Sequence, residues 1–464
     1  MSYDKSLLKR EIRIAKFKPI KNYAKLHIIN INSERIAMLC ISVYIAAPLL
    51  MSIIATIHHN IDYTTVTYEN MFRKCIQPVT TVTGITAIIV YCFYYFATSN
   101  NILISIKKSI NNNKTYIVFV LVTLFMVASY KYNGANYFTI FGAANLGESF
   151  YIKVKYFVLL LPVGMIIADE KIKRGLLRSL MIVSDFMVPV AFFLWKTQLT
   201  SHYFTDWQPA FTCIFTNINY YGYFLSIVTS LSAAMFVIER ETIWKRAALF
   251  SLVLNTVALS FDNTMGAWIG CLFACIFNII VFHMRDGHGN KAAIFAFEIF
   301  VITLILTGIF NGFMINNIKM LLTDIGLIAF DPMSEEAMAA GSGRWILWVN
   351  SMKLIKENPL FGIGHEGIIA NRLYEVIGLN RPHNEYIEYA LFYGIPAGVL
   401  YFTGCFSVYM RALKEKAKLD DLTMVALVSA FGYLVGAFFG LTLYCTTPYL
   451  FIMLGLGYVH LEKS

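Results

Sequence analysis

Residues 293–310 read AIFAFEIFVITLILTGIF, an apolar run with a single charged side chain, Glu298. A helix of about 18 to 20 such residues crosses the hydrocarbon core of a bilayer. The whole chain of 464 residues is similar in character, with 58% hydrophobic and 14% charged residues. A soluble chain contains about a quarter charged residues on average. The sequence therefore predicts a protein that spans a membrane several times.

Comparable apolar runs recur along the chain and predict an all-α, polytopic membrane protein with about twelve transmembrane helices. We place the spans at about 36–57, 77–97, 115–130, 152–168, 177–196, 220–238, 247–261, 265–283, 293–310, 394–410, 421–440 and 443–460. The seventh and eighth spans are almost continuous, which fits either a tight hairpin or one broken helix. The predicted domains are a basic tail at 1–35, helices one to nine at 36–310, a large, partly helical loop at 311–393 and helices ten to twelve at 394–460.

The Lys and Arg residues indicate which side of the membrane each segment faces. If residues 1–35 are cytoplasmic, most of the 38 Lys and Arg residues fall in the tail and the inner loops, and the short outer loops carry few. This positive-inside pattern predicts a cytoplasmic (inner) membrane protein with both termini in the cytoplasm and the loop 311–393 outside. The net charge of +10 has the same explanation, so we expect no nucleic-acid partner.

The first motif of the long loop surrounds Arg344. Residues 342–355 read SGRWILWVNSMKLI, with Ser342 as the expected N-cap and Asn358-Pro359 as the stop signal of a helix. A guanidinium at a helix N-terminus, beside free backbone N–H groups, favours an anion such as phosphate. The alternative is an amphipathic helix at the membrane surface whose arginine only touches lipid headgroups.

The second motif follows directly at 358–365 and reads NPLFGIGH. Two glycines that lie two residues apart after a proline turn indicate a tight backbone. A nucleotide-binding loop is disfavoured because no strand precedes the motif and the glycine spacing is incomplete. We predict a structural turn, with His365 as either a ligand-contacting residue or ordinary polar surface.

The third motif, at 381–389, reads RPHNEYIEY. Pro382 disfavours helix in the residue before it, so a helix is predicted to begin near His383. A histidine at a helix N-terminus feels the positive end of the helix dipole, which favours the neutral imidazole. Such a group is suited to accept a proton at neutral pH. The alternative is a histidine that only caps the helix.

The three motifs, in this order and between late spans, resemble the long-loop signature of the O-antigen ligase and Wzy-type polymerase superfamily. The resemblance continues upstream in FTNINYYGYFL at 215–225 and in TMGAW at 264–268. The family often has an arginine at the position of Met265, and that arginine is thought to help hold the lipid diphosphate. Either Arg344 works alone here, or another outward cation replaces the missing one. The candidates are Lys153, Lys155, Lys196 and Arg381.

The resemblance implies glycan transfer from a polyprenyl-diphosphate donor at the outer face of the cytoplasmic membrane. Arg344 is expected to stabilise the charge of the diphosphate, and His383 to take the proton of the acceptor hydroxyl, with inversion at the anomeric carbon. Further substrate-binding residues are expected at Asn384, Asn217, Asn219, Arg381 and Lys155. Helix capping is the alternative for the three asparagines. The expected partners are the lipid-linked donor, a glycan acceptor, membrane lipid and other proteins of polysaccharide assembly.

Neither a metal nor another cofactor is expected. The sequence contains no Asp-x-Asp motif, and the acidic residues of the long loop lack the spacing of ligands for a hard cation.

Three function classes remain in view. A polymerase of surface-polysaccharide repeat units is the first interpretation, and a ligase that moves finished glycan to a lipid or other acceptor is the second. A flippase or transporter for lipid-linked oligosaccharide is weaker, because such proteins often contain two similar halves and this sequence shows no such repeat. A cell-wall glycan polymerase is disfavoured. Its catalytic loop relies on an acidic residue, whereas the pattern in this loop is Arg344 followed by His383-Asn384.

Overall fold

The structure, a computed structural model, describes residues 23–57, 72–97, 114–134, 150–197, 211–215, 218–286, 290–364, 381–414, 419–442 and 445–458. Within these residues every regular element is helical, which confirms an all-α protein. The first half contains α1 (Tyr23–Ile57), α2 (Gln77–Ala97), α3 (Lys114–Asn133), α4 (Phe150–Lys155), α5 (Leu161–Ile166), α6 (Glu170–Lys196), α7 (Ile218–Ile238) and α8 (Thr242–Asp262). The second half contains α9 (Met265–Asp286), α10 (Lys291–Asn311), α11 (Phe313–Phe330), α12 (Glu335–Ala339), α13 (Arg344–Glu357), α14 (Glu385–Tyr393), α15 (Ile395–Lys414), α16 (Asp421–Gly436) and α17 (Thr447–Leu456).

Eight helices of the described residues are long and apolar enough to cross a membrane, judged by length and composition. They confirm a multi-pass membrane protein. Their apolar parts are Ile31–Ile54, Lys74–Phe96, Lys114–Asn133, Glu170–Lys196, Ile218–Ile238, Met265–Arg285, Lys291–Asn311 and Asp421–Phe439.

The other four predicted spans coincide with helices that do not meet the same criterion. A π-helical turn, Tyr156–Leu160, separates α4 from α5. α8 carries charged residues near both ends, α15 carries them in its last turn, and α17 has 10 residues. The total of twelve spans therefore stays a prediction.

The seventh and eighth predicted spans are two separate helices. α8 ends at Asp262, and Asn263 follows in the left-handed region with a φ of 63°. The N–H of Asn263 donates to the carbonyl of Leu259 at 3.2 Å, which closes the last turn of α8. α9 begins at Met265, and both helices pack on α7.

Helix α7 forms the centre of the bundle. It contacts α8, α9, α10 and α16. Of its most apolar 18-residue stretch, 94% is buried within the protein. By contrast, only 17% of the most apolar 18-residue stretch of α2 is buried, and only 28% of that of α10. Helices with such exposed apolar side chains are stable only against lipid, so α2 and α10 belong to the periphery of the bundle.

Several helix starts agree with signals in the sequence. The side chain of Asp169 accepts the N–H groups of Lys171 and Ile172 at 2.7 and 3.1 Å, and it thereby caps α6. Asn290 caps α10 and Asp420 caps α16 in the same manner. These short polar side chains satisfy backbone donors that a helix leaves open at its N-terminus.

The long loop at 311–393 contains four helices within its described residues, α11 to α14. α11 follows α10 directly after Gly312, whose φ of 76° breaks the helix. Apolar side chains of α11 such as Leu322 and Ile325 are exposed, whereas α14 is mostly buried against α15 and α13. The loop therefore brings α13 and α14 together. Arg344 is the first residue of α13, and His383 lies just before α14.

Candidate active site

The turn before Arg344 has a strained backbone. Gly341, Ser342 and Gly343 have φ angles of 64°, 58° and 78°, so three successive residues are left-handed. Glycine adopts this region easily, whereas a serine there is strained. α13 begins at Arg344 with Gly343 as the N-cap, and no side chain caps the helix. The prediction that Ser342 is the N-cap is therefore wrong, because the left-handed turn leaves Ser342 one residue outside the cap position.

Arg344 lies at the N-terminus of α13, as the sequence predicted. Its Nη1 donates to the carbonyl oxygen of Gly341 at 3.0 Å. Its Nε is buried and has no acceptor among the described residues. A buried cationic donor without an acceptor is costly, and the free N–H groups of the helix start add further positive potential. The arrangement is therefore suited to bind an anion.

Two tryptophans fix α13 against the rest of the loop. Trp348 Nε1 donates to the carbonyl of Pro382 at 2.9 Å, and Trp345 Nε1 donates to the carbonyl of Pro332 at 2.8 Å. The first bond joins α13 to the segment that carries His383. Consequently the first and third sequence motifs are neighbours in space.

The second motif is a structural turn, as predicted, and the structure shows that it closes the C-terminal end of α14. α13 ends at Glu357, and the chain then turns so that the N–H groups of Ile363 and Gly364 donate to the carbonyls of Leu391 and Phe392 at 2.9 and 3.0 Å. These carbonyls lie in the last turn of a helix, where no intrahelical donor is available. His365 lies outside the described residues.

The third motif begins the helix two residues later than predicted. α14 starts at Glu385, and its N-cap is Asn384, whose Oδ1 accepts the N–H groups of Tyr386 and Ile387, both at 3.1 Å. His383 has a φ of 50°, which is incompatible with the first turn of a helix. His383 therefore does not cap the helix, and the carboxamide oxygen of Asn384 has a capping role.

The imidazole of His383 is partly buried and within electrostatic range of two cations. Burial lowers its pKa first, and the guanidinium groups of Arg344 and Arg381 lower it further, to about 4. The carboxylate of Glu388 acts in the opposite direction and compensates only in part. The neutral imidazole is therefore the form present at neutral pH, and its causes are burial and the two guanidinium groups, not the helix dipole on which the sequence prediction relied.

Arg381 belongs to a buried ionic cluster with Glu388 and Lys153. Glu388 accepts Arg381 Nε at 3.0 Å and Nη2 at 2.6 Å, and it accepts Lys153 Nζ at 2.9 Å. Burial would raise the pKa of Glu388, but the two cations outweigh this effect and hold it at about 2. Glu388 therefore binds both cations at once. Sequence reasoning missed Glu388, because no local rule relates it to Lys153 on a distant helix.

Glu385 is a second buried carboxyl group that the sequence reasoning missed. It accepts hydrogen bonds from the hydroxyls of Tyr401 and Tyr433, the latter at 3.2 Å. Burial raises its pKa most, the hydroxyl of Tyr401 opposes this, and the nearby Glu388 raises it again, to about 7. The acidic pair at i and i+3 in the motif was the available signal, but the residues that surround it could not be read from the sequence.

The upstream motif meets the loop at Tyr223 on α7. The guanidinium of Arg344 lies within electrostatic range of the phenol of Tyr223, which donates to the carbonyl of Gly436 at 3.0 Å. Next to it, a Cβ at Gly222 would lie 2.5 Å from Oδ2 of Asp262, so only glycine fits at that point. Distant parts of the sequence thus converge beside Arg344.

The remaining predicted substrate residues have other surroundings. Asn219 lies half-buried in the first turn of α7, and Asn217 lies outside the described residues. Lys155 donates to the carbonyl of Gln77 at 2.9 Å and to Thr80 Oγ1 at 2.8 Å, and thereby ties α4 to α2.

The position of the family arginine is at the start of α9, where Met265 is its first residue. Of the four candidate replacements, Arg381 is the one that acts electrostatically on His383 together with Arg344. Lys153 is bound to Glu388, and Lys196 lies exposed over the ring of Trp195, 4.3 Å from its centroid.

A comparison with protein families identifies part of the chain. Residues 250–402 match the family model described as O-antigen ligase. The match confirms the resemblance to the O-antigen ligase and Wzy-type polymerase superfamily, and it includes Met265, Arg344, Arg381 and His383. Asn217, Asn219 and Lys155 lie outside the matched residues. A search of curated proteins found no match.

Proposed function

We propose that this membrane protein, whose residues 250–402 match the O-antigen ligase family, is a glycosyltransferase that uses a polyprenyl-diphosphate-linked oligosaccharide. Its first proposed activity is polymerisation of surface-polysaccharide repeat units at the outer face of the cytoplasmic membrane. The transfer is metal-independent and inverts the anomeric carbon. The distribution of Lys and Arg supports this placement of the loop, with both termini in the cytoplasm.

The observation that carries the proposal is that the cationic side chain of Arg344 lies near the neutral imidazole of His383. Arg344 offers a buried Nε without an acceptor among the described residues, and its guanidinium lies close enough to His383 to lower the pKa of the imidazole. Transfer from a lipid diphosphate needs both groups. A cation stabilises the charge that develops on the leaving group, and a base takes the proton of the attacking hydroxyl.

The proposed reaction is a single displacement. An acceptor hydroxyl attacks the anomeric carbon of the donor sugar from the face opposite the diphosphate, and its proton passes to the free imidazole nitrogen of His383. The new glycosidic C–O bond forms while the bond from the anomeric carbon to the phosphate oxygen breaks. The electron pair of that bond remains on the polyprenyl diphosphate, whose charge Arg344 offsets. His383 then releases its proton to water.

Donor binding also changes the base. In the empty site, burial and two guanidinium groups hold the pKa of His383 at about 4, which makes the imidazole a weak base. A diphosphate bound to Arg344 brings negative charge next to the imidazole and raises the pKa again. His383 becomes a better base only when a donor is present.

Arg381 is the proposed second cation in place of the arginine that Met265 replaces. Glu388 fixes its guanidinium, whose charge acts on His383. Since this charge is buried, solvent screens its attraction for a diphosphate only weakly. Because Asn384 caps α14, we propose that it helps to fix the position of the adjacent His383. Contact with the sugar is a further proposal for Asn384, Asn217, Asn219 and Lys155.

The test uses purified protein in detergent with a polyprenyl-diphosphate repeat unit, and it measures the length of the glycan product. Arg344→Ala and His383→Ala should each reduce transfer at least about a hundredfold. Lys353→Ala is the matched control, because Lys353 lies exposed on the same helix as Arg344. Near-normal transfer by either variant would remove the role proposed for that residue. Transfer in detergent, without a second compartment, would also exclude a flippase as the whole activity.

A ligase is the second candidate, since the matched family model is described as O-antigen ligase. Polymerase and ligase share the donor chemistry and differ in the acceptor. Deletion of the protein separates them in cells. Single repeat units on the lipid carrier indicate a polymerase, whereas full-length chains stranded on the carrier indicate a ligase.

A further inference from the structure

Asp324 is an acidic residue of α11 that the reaction above does not use. Its Oδ2 accepts the backbone N–H of Gly341 at 2.8 Å. A hydrogen bond to a carboxylate is stronger than one between neutral groups. The side chain therefore reaches from α11 across to the turn that precedes Arg344.

Gly341 is also the residue that holds the guanidinium of Arg344. Its N–H is bound by Asp324, and its carbonyl oxygen accepts Arg344 Nη1 at 3.0 Å. A single residue thus connects the two side chains. If Gly341 moves, the direction of the guanidinium changes with it.

The turn needs such support because its backbone is strained. Three successive left-handed residues are unfavourable, and Ser342 is not a glycine. Strained conformations persist when the surrounding structure fixes them. α11 is itself tied to the transmembrane bundle, since Asn317 donates to the side chain of Asn263 in the turn between α8 and α9.

We propose that Asp324 is a positioning residue that holds Gly341 so that Arg344 presents its Nε, which has no acceptor among the described residues, to the diphosphate of the donor. The proposal rests on the proposed function for the identity of the ligand. It adds α11 to the active site as the support of the cation, although Asp324 itself does not touch the substrate.

The first measurement concerns the turn alone. Amide hydrogen exchange of a peptide that contains Gly341 is compared in wild type, Asp324→Ala and Glu336→Ala. Glu336 is a matched control, because it is an exposed acidic residue of the same loop. Asp324→Ala should speed the exchange about tenfold or more, since the amide loses a bond to a charged acceptor. Equal exchange in Asp324→Ala and Glu336→Ala would overturn the proposal, whatever the protein binds.

The second measurement is equilibrium binding of a polyprenyl diphosphate to the purified protein. Asp324→Ala should weaken binding about tenfold, and Asp324→Asn should recover most of it because the amide oxygen still accepts the bond. In the Arg344→Ala background, Asp324→Ala should cause no further loss, because its effect passes through Arg344. The same loss in both backgrounds would contradict a positioning role. If Arg344→Ala binds as well as wild type, the proposed function of Arg344 fails, and the exchange experiment still decides whether Asp324 holds the turn.

Discussion

The carboxylate of Glu388 binds the guanidinium of Arg381 through two nitrogens, Nε at 3.0 Å and Nη2 at 2.6 Å. Both side chains are buried, and Lys153 completes the cluster from α4. A buried ion pair is not by itself strong evidence for stability, but loss of one partner leaves an uncompensated charge. The cluster therefore fixes the start of α14 and the cation next to His383.

Glu388→Gln should strongly destabilise the protein. It removes the carboxylate charge that Arg381 and Lys153 share, and we expect a loss of about 3–5 kcal/mol in the free energy of unfolding. Denaturant unfolding in detergent measures this change, and Glu357→Gln, at an exposed position, is the control. The pKa of Glu388 is depressed to about 2 in the folded state, so its contribution is complete above the ordinary value of about 4.5 and disappears as the pH falls through 2. The loss should accordingly be present at both pH 6 and pH 8, and a loss no larger than that of the control would contradict the role of the cluster.

The protonation of His383 should depend on donor binding. With an empty site, the midpoint for protonation is expected near the pKa of about 4, below the ordinary value of 6.5. The imidazole accepts protons only in its neutral form, so this form is lost as the pH falls through the pKa. Residue-specific modification by diethyl pyrocarbonate, followed by mass spectrometry, reports the neutral fraction.

A saturating polyprenyl diphosphate should move this midpoint to higher pH, because its charge offsets that of Arg344. The Arg344→Ala variant provides the control. Its empty site should have a higher midpoint than wild type, since one nearby guanidinium is absent. A wild-type midpoint at or above 6.5 without ligand would show that the cations do not act on the imidazole.

Gly362→Ala should destabilise the turn that closes α14. Gly362 has a φ of +64°, and an added Cβ would lie 2.5 Å from the carbonyl oxygen of Leu391. Gly134→Ala is a matched control, because Gly134 has a φ of +76° and no heavy atom within 4 Å of the added Cβ. The control should lose roughly 1–2 kcal/mol from the left-handed conformation alone. Gly362→Ala should lose about 1–3 kcal/mol more from the overlap. Equal losses in denaturant unfolding would mean that the turn relaxes away from α14.

The orientation in the membrane is tested by labelling. Glu336→Cys in the long loop should react with a membrane-impermeant maleimide in intact cells, because the charge distribution puts this loop outside. Lys171→Cys, at the start of α6, should react only after lysis. Both residues are exposed, and Ser replaces the exposed Cys75 and Cys92 in both variants to remove background labelling. The reverse pattern would invert the predicted topology and move the proposed chemistry to the cytoplasmic side.

Local sequence patterns predicted much of the site. The position of Arg344 at a helix N-terminus, the end of α13 before Asn358-Pro359 and the turn at Gly362 and Gly364 all follow from rules that act over a few residues. The same holds for the apolar runs that form membrane helices, since their length alone makes them compatible with a bilayer. Each of these features is determined by the residues that form it.

One local prediction was wrong and another was off by two residues, because backbone strain changed the register: Ser342 is not the N-cap of α13, and the helix predicted near His383 begins at Glu385. Ser342 and His383 both have positive φ angles, so the helices that follow them begin at Arg344 and Glu385. Capping rules assume an extended backbone before the helix, and a left-handed residue breaks that assumption. Only the packed structure contains the contacts that hold such residues in place.

The sequence by itself determined that the chain is a helical membrane protein and that Arg344 lies at a helix N-terminus in a loop with His383. The tertiary structure decided which groups surround these two residues. Glu388 meets Lys153 across 235 positions, and Asp324 meets Gly341 across 17. Hydrophobic periodicity and capping act within a few residues, whereas burial and ionic contacts depend on which distant segments pack together. The same physical difference explains why the cation and the base could be found in the sequence, while their charge environment could not.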